Sequence, residues 1–275
     1  MTASPFRIGI VAPAGRFSPE AADRVAGLAA LRPGRPIELV VHPQCFLKDG
    51  HFAGSDPARE DALVEVANEP GIDAVWFARG GYGSNRIAER AVVRMGKAAL
   101  DKPFLGYSDL GFLLAGLVKA GATRAAHGPM CQDVMRDGGE AAILRALDWL
   151  VDGAPDTCEP TALEAASQAF NLTVLSNLLG TPLEPDFSGR VLMIEDLSEH
   201  LYRIDRSLFH VTSSPNVRRA AGIRLGRISD VPENDPPFER TPEEIVRHWC
   251  KASGVSFLGM ADIGHDAANK VVPFS

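Results

Sequence analysis

The amino-acid sequence predicts an α/β protein whose first half forms a parallel sheet with helices on both faces. Strand-length and helix-forming segments alternate along this half, and the strand-like ones are continuously apolar, which is typical of parallel strands buried on both faces. A stretch with Pro155 and Pro160 and no strong period follows, and beyond it the pattern changes. We therefore predict a first domain over 1–152, a linker over 153–167 and a second domain over 168–275.

The first domain is expected to alternate strands and helices along its whole length. The predicted strands are FRIGIVAP, IELVVHP, IDAVWFAR and PFLGYS. The predicted helices are SPEAADRVAGLAAL, DPAREDALVEVANE, SNRIAERAV, LGFLLAGLVKAG and AILRALDWLVDG. The second of these helices has Asp56 as its expected N-cap and Pro57 at its first helical position. Ligands of parallel sheets bind outside the carboxyl ends of the strands, so the residues after the third and fourth strands are the first candidates for a site.

The second domain combines strand-like and helical segments in a different pattern. GRVLMIEDL is predicted to be a strand that ends in acidic residues, and GIRLGRIS and SFLGMADIG are also strand-like. YRIDRSLFHV is predicted to be helical. TPEEIVRHWCKASG contains a capping box formed by Thr241 and Glu244, with proline at the first helical position, so a further helix is expected there.

Composition and charge exclude some classes of protein. The chain has 275 residues, of which 45% are hydrophobic and 23% are charged, as in ordinary globular proteins. Its formal net charge is -7. Because nucleic-acid binding requires a basic face that neutralises phosphates, we expect no nucleic-acid partner. A small molecule or a peptide is the expected ligand.

Cysteine usage and hydropathy predict a soluble protein of the cytoplasm. The cysteines lack the short spacings of zinc or redox sites, so we expect buried, unpaired thiols. They are Cys45, Cys131, Cys158 and Cys250. The opening MTASPFRIGIVAPAGR is interrupted by Pro13 and Gly15, and we interpret it as a first strand rather than a secretion signal. No segment has the ~18 uninterrupted apolar residues of a membrane span.

The stretch KPFLGYSDLGF, residues 102–112, places Ser108 where the fourth strand passes into a helix. A serine at this junction can be an N-cap that accepts hydrogen bonds from the first helical amides. It can also be a nucleophile exposed on a sharp turn, with the amide of Asp109 directed toward an incoming oxygen. Leu110 stands where the G-x-S-x-G motif would have its second glycine, so both interpretations are open.

The stretch ARGGYGSNR follows the neighbouring third strand and is rich in glycine. Gly80, Gly81 and Gly83 allow positive φ and close backbone approach, so amides there can converge on an anion. The spacing matches neither a dinucleotide-binding loop nor a P-loop. The stretch is either a tight turn or a source of oxyanion donors for Ser108, because neighbouring parallel strands lie only about 5 Å apart.

A nucleophilic serine requires a base and a carboxylate that orients the base. His265 lies in a glycine-bounded loop after a strand-like segment, and His127 ends a predicted strand; either is a candidate base, and a structural role is open for each. Glu195 lies at the end of a wholly apolar strand, where its charge needs a partner. Asp196 and Glu199 are alternatives to Glu195, and a solvated acidic turn is equally consistent with the pattern.

These motifs together resemble the LD-carboxypeptidase family of serine peptidases, which includes muramoyltetrapeptide carboxypeptidases and microcin C resistance proteins. The resemblance extends in order over most of the chain. The segments that carry it are RGGYGSNRI (79–87), GYSDL (106–110), HGPM (127–130), NLTVLSNLLGTP (171–182), IEDLSEHLYRIDRSL (194–208) and GHDAANKVVPF (264–274).

The resemblance implies a flavodoxin-like N-terminal α/β domain, similar to class I glutamine amidotransferases, and a smaller β-rich C-terminal domain. It assigns the nucleophile to Ser108, the orienting carboxylate to Glu195 and the base to His265. It assigns the oxyanion hole to the backbone amides of Gly81 and Asp109. It implies no metal and no cofactor.

The resemblance also implies a substrate and an assembly. The expected reaction is the release of terminal D-Ala from a murein tetrapeptide by hydrolysis of an L,D amide bond, as in cell-wall recycling, and the expected assembly is a homodimer. An arginine or a group of amides should bind the free carboxylate of such a peptide, and Arg79, Arg86 and Arg203 are candidates. Two alternatives are an amidase that detoxifies peptidyl-nucleotide antibiotics of the microcin C type and a non-catalytic muropeptide binder.

Overall fold

The computed structural model describes residues 4–275, and residues 1–3 of the predicted first domain lie outside the described residues. The chain forms a six-stranded sheet and a four-stranded sheet, each with helices packed on it. The predicted two-part α/β architecture is therefore confirmed. Among the described residues, no helix combines the length and apolar character needed to cross a membrane.

The first sheet is parallel except for one strand at its edge. Its strands are β1 (Phe6–Val11), β2 (Ile37–Val41), β3 (Ala74–Phe77), β4 (Phe104–Gly106), β5 (Ala125–His127) and β10 (Val272–Pro273). Their order across the sheet is β2, β1, β3, β4, β5, β10. The first five strands are parallel, and β10 runs antiparallel to β5, with Val272 opposite His127. The carboxyl ends of β3 and β4 thus lie side by side.

Helices cover both faces of the first sheet, as the continuous apolar strands predict. The helices are α1 (Pro19–Leu31), α2 (Asp56–Asn68), α3 (Ala88–Val93), α4 (Lys97–Leu100), α5 (Gly111–Lys119) and α6 (Gly139–Asp152). Residues Ala74 and Trp76 of β3 pack in the apolar cluster that contains α1 and α6. The alternate residues Val75 and Phe77 pack in the cluster that contains α2, α3 and α5. All four side chains of β3 are buried, which explains its uninterrupted apolar sequence.

The second sheet is wholly parallel. Its strands, adjacent in chain order, are β6 (Ser167–Asn171), β7 (Val191–Leu197), β8 (Gly222–Ser229) and β9 (Phe257–Met260). The intervening helices are α7 (Leu172–Leu178), α8 (Leu201–Ser213) and α9 (Pro242–Ser253). Helices α8 and α9 are strongly amphipathic, with Ile204, Leu208 and Val246 among their buried residues.

The two sheets share one apolar core. A single cluster of buried side chains contains residues of α5 in the first region and of β6, β7 and α8 in the second. Gly111, at the start of α5, lets this helix approach β6 and α7, because an added Cβ would lie 3.0 Å from Val174 Cγ1. Phe274, just after β10, packs on Phe170 of β6 with ring centroids 5.2 Å apart. The end of the chain therefore ties the two sheets together.

Local capping agrees with one prediction and corrects another. Thr241 and Glu244 form the expected capping box at the start of α9, where the Thr241 side chain accepts from the Glu244 amide. Helix α2, in contrast, begins at Asp56, and its N-cap is Ser55, whose hydroxyl accepts from the Ala58 amide. The prediction of Asp56 as the N-cap was wrong by one residue, because both side chains are suited to this position.

Candidate active site

The carboxyl ends of strands from both sheets open onto a cavity of about 1000 Å³. The glycine-rich turn after β3 and the Ser108 turn after β4 line it from the first region. Asn171 and Asp196, at the ends of β6 and β7, line it from the second region, and His265 lies beside them. The cavity therefore lies where ligands of parallel α/β sheets are expected to bind.

Ser108 lies at the sharp turn between β4 and α5. Its φ angle is 60°, a left-handed conformation that non-glycine residues rarely adopt. Ser108 is the first residue of a short 3₁₀ turn whose N-cap is Tyr107, and within residues 4–275 the hydrogen-bond partner of its hydroxyl is His265 Nε2 rather than a helical amide. The interpretation of Ser108 as an N-cap was therefore wrong. Gly80 lies against this turn, and a Cβ added there would lie only 3.4 Å from Ser108 Oγ.

Ser108, His265 and Glu195 form one hydrogen-bonded chain across the two regions. Ser108 Oγ lies 3.0 Å from His265 Nε2, and His265 Nδ1 lies 2.5 Å from Glu195 Oε2. Glu195 is fully buried in β7, next to an irregularity in the pairing of β7 with β8. Gly226 of β8 leaves the space for this side chain, since a Cβ there would lie 3.1 Å from Glu195 Cβ. The structure thus gives the buried carboxylate its partner.

Burial and charge act in opposite directions on the pKa of His265. Burial lowers this pKa, because it disfavours the imidazolium. The negative charge of Glu195 and its hydrogen bond to the ring raise it, and the net result is a pKa above the ordinary histidine value. His265 is therefore a stronger base than a free imidazole, and Nδ1 bonding to Glu195 leaves Nε2 directed at Ser108.

The alternative base and carboxylates have other partners. His127 is fully buried, its Nε2 lies 3.1 Å from Asn269 Oδ1, and burial lowers its pKa to about 4. Asp196 accepts hydrogen bonds from Asn171 Nδ2 and from the amide and hydroxyl of Thr173. These side chains therefore have structural partners away from Ser108, and Glu199 is ion-paired with an arginine of α8.

Two backbone amides beside Ser108 are free to receive an anion. Within residues 4–275, neither the Gly81 amide nor the Asp109 amide donates a hydrogen bond to the protein. Gly81 has a φ angle of 106°, which favours glycine, so the turn could not easily carry another residue. Both amides belong to turns that line the cavity.

The Asp109 side chain joins the two turns. Its carboxylate accepts hydrogen bonds from the amides of Gly83 (3.2 Å) and Ser84 (2.8 Å). In return, the Ser84 hydroxyl donates to the Asp109 carbonyl over 2.6 Å. Burial raises the pKa of Asp109, although these hydrogen bonds act in the opposite direction. The glycine-rich turn and the Ser108 turn are therefore held as one unit.

Of the three arginines proposed from sequence, only Arg79 lines the cavity. Arg86 is paired with Asp56, its Nε lying 2.9 Å from both carboxylate oxygens. Arg203 of α8 pairs with Glu199, which precedes that helix, at 3.5 Å. The structure does not bring Arg86 or Arg203 into the cavity lining: Arg86 pairs with Asp56 outside the cavity, and Arg203 pairs with Glu199, which itself lines the cavity.

Arg136 is a cavity-lining residue that the sequence prediction missed. It directly follows a short 3₁₀ segment (Cys131–Met135) that comes after β5, and Asp133 of this segment accepts from its Nε over 3.0 Å. Its Nη1 donates to the backbone carbonyl of His265 over 2.7 Å. The pattern D-x-x-R after β5 is the signal that could have identified Arg136. The end of β5 lies next to the end of β4, and β4 lies next to β3, so residues after β5 are also candidates for the site.

Side chains of the first region hold the loop that carries His265. Arg145 donates to the carbonyls of Ala267 (2.8 Å) and Asn269 (3.0 Å). Asn269 Oδ1 in turn accepts from the Gly264 amide over 3.1 Å. Within residues 4–275, no group of three or more His, Cys, Asp or Glu side chains converges as a metal site would require.

A hydroxyl, an imidazole and a carboxylate bonded in this order, beside two free amides, form the constellation by which serine hydrolases are recognised. Sequence profiles define the family more closely. The profile of the LD-carboxypeptidase N-terminal domain matches residues 8–128, and that of the LD-carboxypeptidase C-terminal domain matches residues 169–275. The chain belongs to the LD-carboxypeptidase family of serine peptidases.

Known proteins of this family are similar over nearly the whole chain. The murein tetrapeptide carboxypeptidase of Pseudomonas aeruginosa is 27% identical over 98% of this chain and 91% of its own length. A crystal structure of muramoyltetrapeptide carboxypeptidase from Oxalobacter formigenes has a TM-score of 0.79 at 24% identity, covering 96% of this chain and 92% of the other. The microcin C7 self-immunity protein MccF, solved with aspartyl sulfamoyl adenosine, has a TM-score of 0.78 at 16% identity, covering 99% and 92%.

Proposed function

We propose that the protein is a serine carboxypeptidase that releases terminal D-Ala from a murein tetrapeptide by hydrolysing an L,D amide bond. The observation that carries this proposal is the hydrogen-bonded chain from Ser108 through His265 to Glu195 at the cavity. The full-length similarity to a murein tetrapeptide carboxypeptidase supports the substrate.

In the first half of the reaction, Ser108 Oγ attacks the carbonyl carbon of the scissile amide, and its proton passes to His265 Nε2. Glu195 holds the imidazole in the tautomer that presents Nε2 and stabilises the imidazolium that forms. The carbonyl oxygen becomes an oxyanion, which the Gly81 and Asp109 amides receive; such a donor commonly contributes about 3 kcal/mol. When the C–N bond breaks, His265 returns the proton to the leaving amine of D-Ala.

In the second half, water replaces the departed amine and hydrolyses the ester on Ser108. His265 Nε2 takes a proton from the water, whose oxygen bonds to the acyl carbon. Collapse of this second tetrahedral species breaks the C–Oγ bond, and the proton returns to Ser108 Oγ. The products are the shortened peptide with a new carboxylate and free D-Ala, so atoms and charges balance without a further reactant.

One observation favours the peptidyl-nucleotide alternative as the second candidate. Tyr82, in the glycine-rich turn, lines the cavity and is 48% exposed. An exposed aromatic ring at a cavity can stack on a nucleobase. The ring lies 5.9 Å from that of Phe52, so it belongs to a small aromatic cluster at the rim.

The test is to incubate the protein with purified murein tetrapeptide and, separately, with a processed microcin C analogue. Released D-Ala and released nucleotide are quantified for the parent, for Ser108→Ala and for Ser213→Ala, an exposed serine of α8 used as the matched control. The proposal expects D-Ala release by the parent and the control alone.

Three other results would replace this proposal. Turnover of only the nucleotide conjugate favours the antibiotic-detoxifying amidase. Binding of tetrapeptide without turnover favours a non-catalytic binder. Equal activity of Ser108→Ala contradicts the assignment of the nucleophile.

The proposal includes a homodimer, as the family resemblance implies, and a location in the cytoplasm, as cysteine usage and hydropathy predict. Light scattering coupled to gel filtration measures the assembly, and a mass near 29.4 kDa would mean a monomer and contradict this part. Fractionation of cells that express the protein measures its compartment, and recovery outside the cytoplasm would contradict that assignment.

A further inference from the structure

The chemistry of the leaving group limits where a carboxypeptidase can bind the free carboxylate of its substrate. This step rests on the proposed function, in which His265 Nε2 returns a proton to the leaving amine. The carboxyl carbon of the leaving amino acid lies only about 2.5 Å from its amine nitrogen, because the two share one α-carbon. The group that binds this carboxylate must therefore lie on the His265 side of Ser108, away from the glycine-rich turn whose Gly81 amide receives the oxyanion.

Arg136 is the cavity-lining arginine on that side. Its Nη1 lies 2.7 Å from the backbone carbonyl oxygen of His265, so the guanidinium contacts the residue whose imidazole is the proposed base. Arg79, the other arginine of the cavity, immediately precedes the Gly80–Gly81 turn. Its Nη1 donates to the Arg16 carbonyl over 3.4 Å rather than to the His265 loop, so we assign it to the side of the Gly81 amide, where the carbonyl oxygen rather than the leaving amine is expected.

The surroundings of Arg136 hold its guanidinium in place and leave donors free. Asp133 accepts from Arg136 Nε, and it is itself fixed by the Tyr107 hydroxyl (3.1 Å) and the Met130 amide (2.9 Å). An arginine has five N–H donors, and the hydrogen bonds of Arg136 to Asp133 and to the His265 carbonyl use one at Nε and one at Nη1. The Arg136 side chain is 39% exposed at the cavity, so the remaining donors are accessible to a ligand.

We propose that Arg136 binds the free α-carboxylate of the leaving amino acid and thereby restricts the enzyme to the last residue of its substrate. A fixed guanidinium suits this role, because a planar fork with free N–H groups matches a carboxylate in geometry and charge. A peptide that continues beyond the scissile bond has a neutral amide at this position. Such a peptide would leave Arg136 without its anionic ligand.

The experiment compares a tetrapeptide ending in D-Ala carboxylate with the same peptide ending in D-Ala carboxamide. The kcat/KM ratio of the two peptides is measured for the parent, Arg136→Met, Arg136→Lys and Arg145→Met. Arg145 is the matched control, because it also bonds carbonyls of the His265 loop but does not line the cavity. Since each ratio is taken on one preparation, a partly unfolded variant does not change it.

The parent should prefer the carboxylate by about 10- to 100-fold, as expected for a charge-assisted contact. The ratio should fall to about 1 in Arg136→Met and to an intermediate value in Arg136→Lys, and it should stay at the parent value in Arg145→Met. A preference that persists in Arg136→Met would overturn the assignment while the proposed function stands. A parent with no preference would overturn it as well.

Calorimetric binding of both peptides to Ser108→Ala and to Ser108→Ala/Arg136→Met separates this inference from the proposed function. Carboxylate-dependent binding that the second substitution removes supports the Arg136 subsite, even if the parent hydrolyses neither peptide and the proposed function fails. Equal loss of binding for both peptides means that Arg136 has only a structural role and overturns the subsite. Absence of binding and hydrolysis in the parent overturns both.

Discussion

The two regions of the molecule supply different kinds of groups to the same cavity. The first region supplies groups whose positions depend on backbone conformation: Ser108 with φ 60°, and the amides of Gly81 and Asp109. The second supplies ionisable side chains, Glu195 from a buried strand and His265 from a loop. The proposed nucleophile and the free amides are thus fixed by local turns within one sheet, whereas the proposed base is fixed by contacts between regions.

The turns of the first region are held by contacts within that region, whereas the His265 loop of the second region is held by contacts with the first. The two turns of the first region hold each other through the Asp109 carboxylate. The His265 loop, in contrast, depends on Arg136 and Arg145 of the first region and on β10, which pairs with β5. Substitutions in the first region should therefore act through turn geometry, and those in the second through charge and protonation.

The largest effect is expected from removal of the base. His265→Ala should lower kcat by roughly 10⁴-fold or more, because the triad acts as a unit in serine hydrolases. Kinetics of D-Ala release measure the loss, and circular dichroism checks the fold. His248→Ala, at an exposed histidine of α9, is the control and should retain parent activity. A loss below tenfold in His265→Ala would mean that another group serves as the base.

Glu195→Gln removes the negative charge of the Glu195 side chain and keeps its size and shape. The amide should lower kcat by roughly 10²- to 10⁴-fold, because it no longer stabilises the imidazolium. The pH profile should also change. His265 acts only when neutral, and its raised pKa places the acid limb of kcat/KM above the ordinary histidine value. Glu195→Gln removes the largest effect that raises the pKa of His265, while burial continues to lower it, so this limb should move to lower pH; a limb that does not move would contradict the pairing.

Asp109→Ala tests the rigidity of the first region. The substitution leaves the buried amides of Gly83 and Ser84 without an acceptor, which should cost about 1–3 kcal/mol of unfolding free energy for each. The substitution should also displace the backbone amides of Gly81 and Asp109 and thereby lower kcat by about 10- to 100-fold. The acid limb of the kcat/KM profile should not move. Asp109→Asn retains one acceptor oxygen and should lose less of both. Urea unfolding and kcat are the measurements, and a shifted pH limb would show that Asp109 acts through His265 instead.

The smallest effect concerns the strain at Ser108. Since glycine adopts a φ of 60° without penalty, Ser108→Gly should be about 1 kcal/mol more stable than Ser108→Ala. The same pair of substitutions at Ser207, inside helix α8, should show the opposite order, because glycine weakens a helix. Urea unfolding of the four variants gives the two differences. Equal signs at both positions would contradict the proposed strain.

Features of the first region were predictable because they depend on local sequence. An apolar strand followed by a turn and a helix made Ser108 a candidate, and the neighbouring glycines indicated possible amide donors; the family resemblance selected Gly81 among them. Glu195 was a candidate because a charge that ends an apolar strand needs a partner, but the residues alone left Asp196 and Glu199 as alternatives. His265 could not be distinguished from His127 by residues alone, and the family resemblance made that choice; the structure then gave His127 a buried partner in Asn269.

Features that depend on distant contacts were not predictable. Arg86 and Arg203 have the same side chain as Arg79, but neither lines the cavity. Arg86 pairs with Asp56, which is distant in sequence, and Arg203 pairs with Glu199, which is near in sequence. The position of Arg136 at the site depends on its contact with the backbone carbonyl of His265, which is distant in sequence. Strand β10 has only two residues, too few for a periodic signal, although its pairing with β5 anchors the end of the chain.

The most direct test of the central claim is a double-mutant cycle across the two regions. D-Ala release from tetrapeptide is measured for the parent, Ser108→Ala, His265→Ala and the double variant. If the nucleophile of the first region and the base of the second act as one unit, the double variant should be no slower than the slower single variant, within about threefold. If the fold losses in rate of the two single variants multiply in the double variant, or if Ser108→Ala keeps the parent rate, Ser108 and His265 do not act as one catalytic unit.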